Sequence, residues 1–160
     1  NLKESDVIIP LITDNFRNSE FTDQELGMAL ALNKIIIPIK LSTINPYGFI
    51  KKIQALRCYT GQSDIINAVT KLVFVLIDNV EFSIYKDFVI DSVTEAFYKS
   101  NSYKTTSIII RILTKIKSFN KNQIASLKSA IKNNNQVYGF FALQDFKKLL
   151  SDKHKIVIDS

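Results

Sequence analysis

The chain runs to 160 residues, 46% of them apolar and 22% charged, enough to bury one generous core or two small ones. A single cysteine, Cys58, and a single histidine, His154, exclude an internal disulfide framework, multi-cysteine zinc sites and most histidine-ligated metal centres. The net charge of +6 is uneven: residues 1–78 carry 8 basic and 8 acidic side chains, residues 79–160 carry 13 and 7.

All three prolines, Pro10, Pro38 and Pro46, also lie in the first half, so a boundary is expected near Asn79–Phe82. The apolar runs Val7–Leu11, Ile35–Ile39 and Leu72–Ile77 fall far short of the ~20 residues of a membrane-spanning helix. The sequence opens at Asn1 without Met and without a basic-then-apolar leader. It reads as a cytoplasmic protein that is a processed chain or a fragment, with no membrane partner.

The first half alternates strand and helix. Val7-Ile8-Ile9-Pro10-Leu11-Ile12 is short, β-branched and apolar on both faces, as a strand of a parallel sheet is. Its proline argues for an edge, or for a position where no ladder bond is lost. Thr22–Asn33 predicts a helix with Leu26, Ala29 and Leu30 inward, ended by Asn33-Lys34. Ile35–Ile39 predicts a second buried strand, Asn45-Pro46-Tyr47-Gly48 a turn, and Ala55–Tyr59 a short third strand. Asp64–Asp78 predicts a helix with Ile65, Val69, Leu72, Val73 and Leu76 on its apolar face. This order implies an α/β layer with a parallel sheet.

The second half predicts four amphipathic helices: Tyr85–Lys99 (Val89, Val93, Ala96, Phe97), Lys104–Ser118 (Ile109, Ile112, Leu113, Ile116), Asn120–Lys132 (Ile124, Leu127, Ile131) and Gly139–Leu150 (Ala142, Phe146, Leu149). With short polar links they make a small bundle. Asn120 is placed to cap the third helix, and Ile156-Val157-Ile158 is an ambiguous tail. Lys115, Lys117, Lys121, Lys128 and Lys132 alternate with the apolar positions, as a solvated face does, so a nucleic-acid partner is not expected. Cys58 reads as a small buried residue, and His154, among lysines, as a solvated one.

The nucleotide-phosphate loops, the serine-hydrolase elbow and the zinc motifs are absent from the sequence. Its informative stretch runs from Ser5-Asp6 through Thr13, Asn15-Phe16, Ser19, Phe21 and Glu25 to Ile37-Pro38-Ile39. This resembles the second half of a bacterial TIR (Toll/interleukin-1 receptor) domain. That family has a strand opening in Ser-Asp and ending in Ser or Thr, a loop with Asn-Phe and Ser, and an aromatic residue four positions before a helical glutamate. A following strand reads Ile-Pro-Ile. The resemblance covers roughly residues 3–78, with Phe21 where the family usually has Trp.

The resemblance implies a partial flavodoxin-like parallel sheet with flanking helices over residues 1–78, followed by an α-helical accessory domain over 79–160. It also implies NAD⁺ glycohydrolase activity in prokaryotic anti-phage defence and signalling. Glu25 would be catalytic, with Phe21, Ser19 and Thr13 binding substrate. NAD⁺ would be substrate, with no cofactor and no metal, and copies would assemble through TIR–TIR contacts. The chemistry is coherent. Breaking an N-glycosidic bond builds positive charge on the ribose, and a carboxylate can bind the ribose hydroxyls and stabilise that charge. The resemblance begins almost at the third strand of the family's sheet, so the chain alone is expected to be a poor catalyst with an open sheet edge.

The residues also support plainer readings. Thr22-Asp23-Gln24-Glu25 fits a capping box, in which Glu25 returns to the Thr22 N–H. Asp23 fits a solvated acid of a first helical turn. A non-catalytic TIR adaptor and a nucleoside deoxyribosyltransferase-like enzyme are the two alternative functions.

Overall fold

The computed structural model describes residues 2–58, 61–141 and 143–157. The chain is mixed α/β and divides into two compact units, residues 1–74 and 75–160. The division falls inside a helix, a few residues before the boundary expected from composition.

In the first unit, β1 (Val7–Ile8) pairs parallel with β3 (Ile35–Ile36), and β2 (Leu11–Ile12) with β4 (Ile39–Lys40). β4 also pairs parallel with β5 (Leu56–Arg57). Each apolar run expected as one strand is thus two short ones, broken at Pro10 and Pro38. The hydrogen bonding explains the breaks. The carbonyls of Ile8, Pro10 and Ile12 accept from Ile37, Ile39 and Leu41, so residue 10 faces its neighbouring strand. In a parallel ladder the N–H and C=O of a residue point the same way. Pro10 therefore withholds a donor from the ladder itself. Pro38, whose carbonyl accepts from Leu56, does the same toward β5. The outermost position of Pro10 agrees with expectation, but a ladder bond is lost there all the same. The third strand covers Leu56–Arg57, and Tyr59 of its expected range lies outside the described residues.

Helix α1 (Glu20–Ala31) follows a 3₁₀ turn at Phe16–Asn18. It starts two residues earlier than the spacing predicts, because Ser19 is its N-cap and accepts from the Thr22 N–H at 3.3 Å. It ends where expected. Asn33 takes the left-handed conformation (φ 51°), and the Asn33 and Lys34 amides return to Leu30 and Ala29. That is a Schellman end with asparagine in the glycine position. Leu26 and Ala29 are buried as expected, together with Ile12, Phe16, Ile36 and Ile50, but Leu30 is exposed. Helix α2 (Gln62–Asp78) buries Ala68 and Ile77, whereas Ile65 and Val69 of the expected inward face are exposed.

Every regular element in the described part of the second unit is helical: after a 3₁₀ helix at Val80–Tyr85 come α3 (Lys86–Tyr98), α4 (Tyr103–Leu113), α5 (Lys121–Asn133), α6 (Asn135–Tyr138) and α7 (Leu143–His154). The inward stripe of α3 is Ile90, Val93, Thr94 and Phe97, rotated from the expected one, so that Ala96 is exposed. Helix α4 stops at Leu113, five residues early. The Lys115 and Ile116 amides turn back to Ile112 and Leu113, which keeps Ile116 buried beyond the helix.

Asn120 caps α5 through a reciprocal box. Its Oδ1 accepts from the Gln123 N–H at 2.9 Å, and Gln123 Oε1 accepts from the Asn120 N–H at 2.8 Å. The buried Gln123 amide then donates to Asp91 Oδ1 at 2.9 Å, which satisfies it. The last expected helix, Gly139–Leu150, starts four residues late and runs on to His154 as α7, and the short α6 lies before its expected range. Gly139 ends α6 at a point where a Cβ would stand 2.6 Å from Tyr103 Oη. Ala142 and Ile158 lie outside the described residues. His154 is partly buried rather than fully solvated: it closes α7 with its ring 4.9 Å from that of Phe119.

Candidate active site

A cavity of about 390 Å³ lies in the first unit, between the outermost strand pair β1/β2 and helix α1. One wall is backbone and side chain of Ile8–Leu11 with Thr13. The other is Asn15, Phe16, Ser19, Thr22, Glu25 and Leu26. The size falls in the lower part of the ~300–1,000 Å³ range of small-molecule sites.

Local sequence explains how each side chain arrives there. Thr13 follows the last residue of β2, and its carbonyl accepts from the Phe16 N–H at 3.1 Å to turn the chain. Phe16 is buried in the core and pins that turn. Ser19 ends the turn in extended backbone (φ −107°, ψ 99°), which is what an N-cap requires. Thr22 and Glu25 are then three apart on one helix face. Three of the four site residues expected from the sequence, Thr13, Ser19 and Glu25, are brought together in this way.

Phe21 is not among them. It is 68% exposed on α1 and does not line the cavity. One helical position away from Thr22, it projects from a different side of the helix.

The capping reading of Glu25 is corrected. The cap is Ser19, so the third helical residue is Thr22 and Glu25 sits in the second turn. Among the described residues no side chain pairs with the Glu25 carboxylate, which is exposed in the cavity wall. A carboxylate free of structural partners is available to a ligand carrying hydroxyl or cationic groups. Thr22, Ser19 and Asn15 add neutral polar groups, and Ile8, Ile9, Pro10 and Leu11 an apolar floor. Among the described residues no group of three or more His, Cys, Asp or Glu side chains is placed to hold a metal ion.

The sequence reasoning missed Tyr47. Its hydroxyl donates to Asp23 Oδ1 at 3.0 Å and stands 3.4 Å from the Phe16 carbonyl. Its ring meets that of Phe16 edge-on at 5.9 Å, and the Arg17 guanidinium lies over it at 5.0 Å. Burial, then the hydrogen bond to the Asp23 carboxylate, raise the Tyr47 pKa above its ordinary value of 10.0. Asp23 is therefore a tertiary acceptor as well as an acid of the first turns. Tyr47 sits 24 residues from Asp23 in sequence, and no local pattern announces the pairing.

No protein-family model, no curated protein and no solved structure matches the chain. Function therefore rests on the geometry of this cavity. Among the described residues no helix is long and apolar enough to cross a membrane.

Proposed function

We propose that the protein cleaves the N-glycosidic bond of NAD⁺, as part of a TIR-type, flavodoxin-like domain with a helical accessory domain, in prokaryotic anti-phage defence. The observation that carries this reading is the shared cavity of Glu25, Ser19 and Thr13 on the outer strand's flank, with the Glu25 carboxylate paired to no side chain among the described residues. A carboxylate there suits a ribose, whose hydroxyls it can accept and whose developing positive charge it can stabilise. The apolar floor of Ile9, Pro10 and Leu11 suits a flat nicotinamide ring.

The reaction consumes one water. The bond between ribose C1′ and the nicotinamide nitrogen breaks, its electron pair leaves with neutral nicotinamide, and water oxygen bonds to C1′ and loses a proton. The products are ADP-ribose, nicotinamide and H⁺. The nicotinamide, bound as a cationic pyridinium, departs neutral without needing a strong acid, so the absence of a second carboxylate among the cavity-lining residues is no obstacle.

The test is NAD⁺ loss with matching nicotinamide release, followed at high protein concentration because assembly between copies belongs to the reading. The protein should consume NAD⁺, and Glu25→Gln should slow it about 10²- to 10³-fold, the order seen when one electrostatic stabiliser is removed. Equal rates for the two proteins, or no consumption by either while both are folded, would overturn it. The exposure of Phe21, with that of Phe49 at 69%, favours a second reading. In it the chain is a non-catalytic adaptor whose aromatic residues meet another protein. Self-association of a protein that leaves NAD⁺ intact, abolished by Phe21→Ser, would select that reading.

A further inference from the structure

The wall of the cavity that carries Asn15, Phe16, Ser19 and Thr22 is a 3₁₀ turn and a helix start, held to the rest of the unit by few bonds. Within the segment, Phe16, Asn18 and Thr22 amides bond only to Thr13, Asn15 and Ser19, each three residues back. Such local bonds fix the shape of the turn but not its distance from β1/β2. Farther along α1, Leu26 and Ala29 pack in the core, and among the described residues two tertiary contacts act on the segment itself. One is the burial of the Phe16 ring. The other is Tyr47, from the loop after β4, which reaches both ends of the segment: the Phe16 carbonyl at 3.4 Å and the Asp23 carboxylate at 3.0 Å. Arg17, between those ends, lies on the same ring.

We infer that Tyr47 is a positioning residue for the cavity, its hydroxyl tying residues 16–23 at the spacing from the outer strand that a ligand against Glu25 requires. The inference rests, for its ligand, on the NAD⁺ reading above. It goes beyond that reading in assigning cavity width to a residue that does not line the cavity. A single hydroxyl hydrogen serves two acceptors here, and the charged one at 3.0 Å dominates. The tie is therefore principally to the start of α1, where Ser19 and Thr22 face the cavity.

Tyr47→Phe tests this, because it keeps the ring contacts with Phe16 and Arg17 and removes only the hydroxyl. Asp23→Ala removes the acceptor, and Asp23→Asn retains one. Two measurements are made on each protein. The first is amide hydrogen exchange without ligand. Phe16, Asn18 and Thr22 amides should exchange about 3- to 10-fold faster in Tyr47→Phe and Asp23→Ala, the factor expected for one lost hydrogen bond, and less so in Asp23→Asn. The sheet amides of Ile37, Ile39 and Leu41 should be unchanged. The second is NAD⁺ hydrolysis, where KM should rise about 3- to 10-fold with kcat within about twofold, since a wall that must be re-ordered weakens binding of ground and transition states alike.

Unchanged exchange at Phe16–Thr22 would overturn the inference. So would a uniform rise that includes the sheet amides, which marks a merely structural residue, or a local rise with KM unaltered. If the unsubstituted protein leaves NAD⁺ intact, the NAD⁺ reading fails, and exchange alone then decides whether Tyr47 holds the wall.

Discussion

Replacing Ser19 and Glu25 separately by alanine distinguishes a cap from a free carboxylate. In the structure Ser19 Oγ accepts the Thr22 N–H at 3.3 Å in N-cap geometry, so Ser19→Ala removes the only side-chain acceptor that N–H has among the described residues. Such a loss costs about 1 kcal/mol, with the long 3.3 Å contact placing it toward the lower half of the 0.5–2 range. Glu25 is exposed in the second turn and caps nothing, so Glu25→Ala belongs with surface substitutions that stay within about 0.5 kcal/mol. Alanine also has the higher helix propensity, which offsets part of whatever is lost. Urea unfolding followed by circular dichroism reads both. With a slope of about 1–3 kcal/mol per molar urea, Ser19→Ala should lower the midpoint by about 0.3–1 M. Glu25→Ala should leave it within about 0.3 M at unchanged slope. The reverse pattern, a large loss at Glu25 with none at Ser19, would mean that the helix starts at Thr22 and that Glu25 is its capping partner. The argument for Glu25 as a functional group would then fall with it.

Two further outcomes concern the second unit. Phe97 is fully buried and meets Phe146 edge-on at 5.6 Å, so Phe97→Ala should cost about 3–5 kcal/mol and lower the melting temperature steeply, whereas Phe97→Leu should recover much of it. His154 packs on Phe119 with its Nε2 buried and, among the described residues, without a hydrogen-bond partner, and burial, then the Lys153 charge, lower its pKa below the ordinary 6.5. The unfolded chain then takes up the proton more readily than the folded one. Its stabilising contribution is complete above about pH 6.5 and is lost as pH falls through the lower folded value. His154→Phe should flatten the fall in urea midpoint between pH 7 and pH 5, and an identical fall in both proteins would refute the burial argument.

The site was partly legible in the sequence. The run Thr13–Asn15-Phe16–Ser19–Glu25 is contiguous, so a turn and one helical face are enough to gather Thr13, Ser19 and Glu25. Local chemistry was sufficient to find them. The same local chemistry misled at the helix start, because Ser19 and Thr22 are both good caps and Thr22-x-x-Glu25 completes a box. Which of the two wins depends on where the buried Phe16 fixes the preceding turn. Phe21 failed for a related reason: spacing of four suggested a shared face with Glu25, yet the cavity lies over the line through Thr22 and Glu25.

The sequence by itself determined the alternation of strand and helix in the first unit, the Asn33 helix end and the Asn120 cap. Each of these follows from residues within a few positions of one another. It determined the buried Ile109, Ile112 and Leu113 of α4 and the Leu127 and Ile131 of α5 as well, because their period is carried by consecutive turns. Only the tertiary structure decided that Pro10 and Pro38 face the ladder and cut each strand in two, since a residue's direction depends on its partner's register. Only the tertiary structure decided that α3 buries Ile90 and Thr94 instead of Ala96, because neighbours choose among overlapping apolar faces. The link from Tyr47 to Phe16 and Asp23 belongs to the same class: it spans 24 to 31 residues, and only folding brings a phenol, a carbonyl and a carboxylate within hydrogen-bond reach.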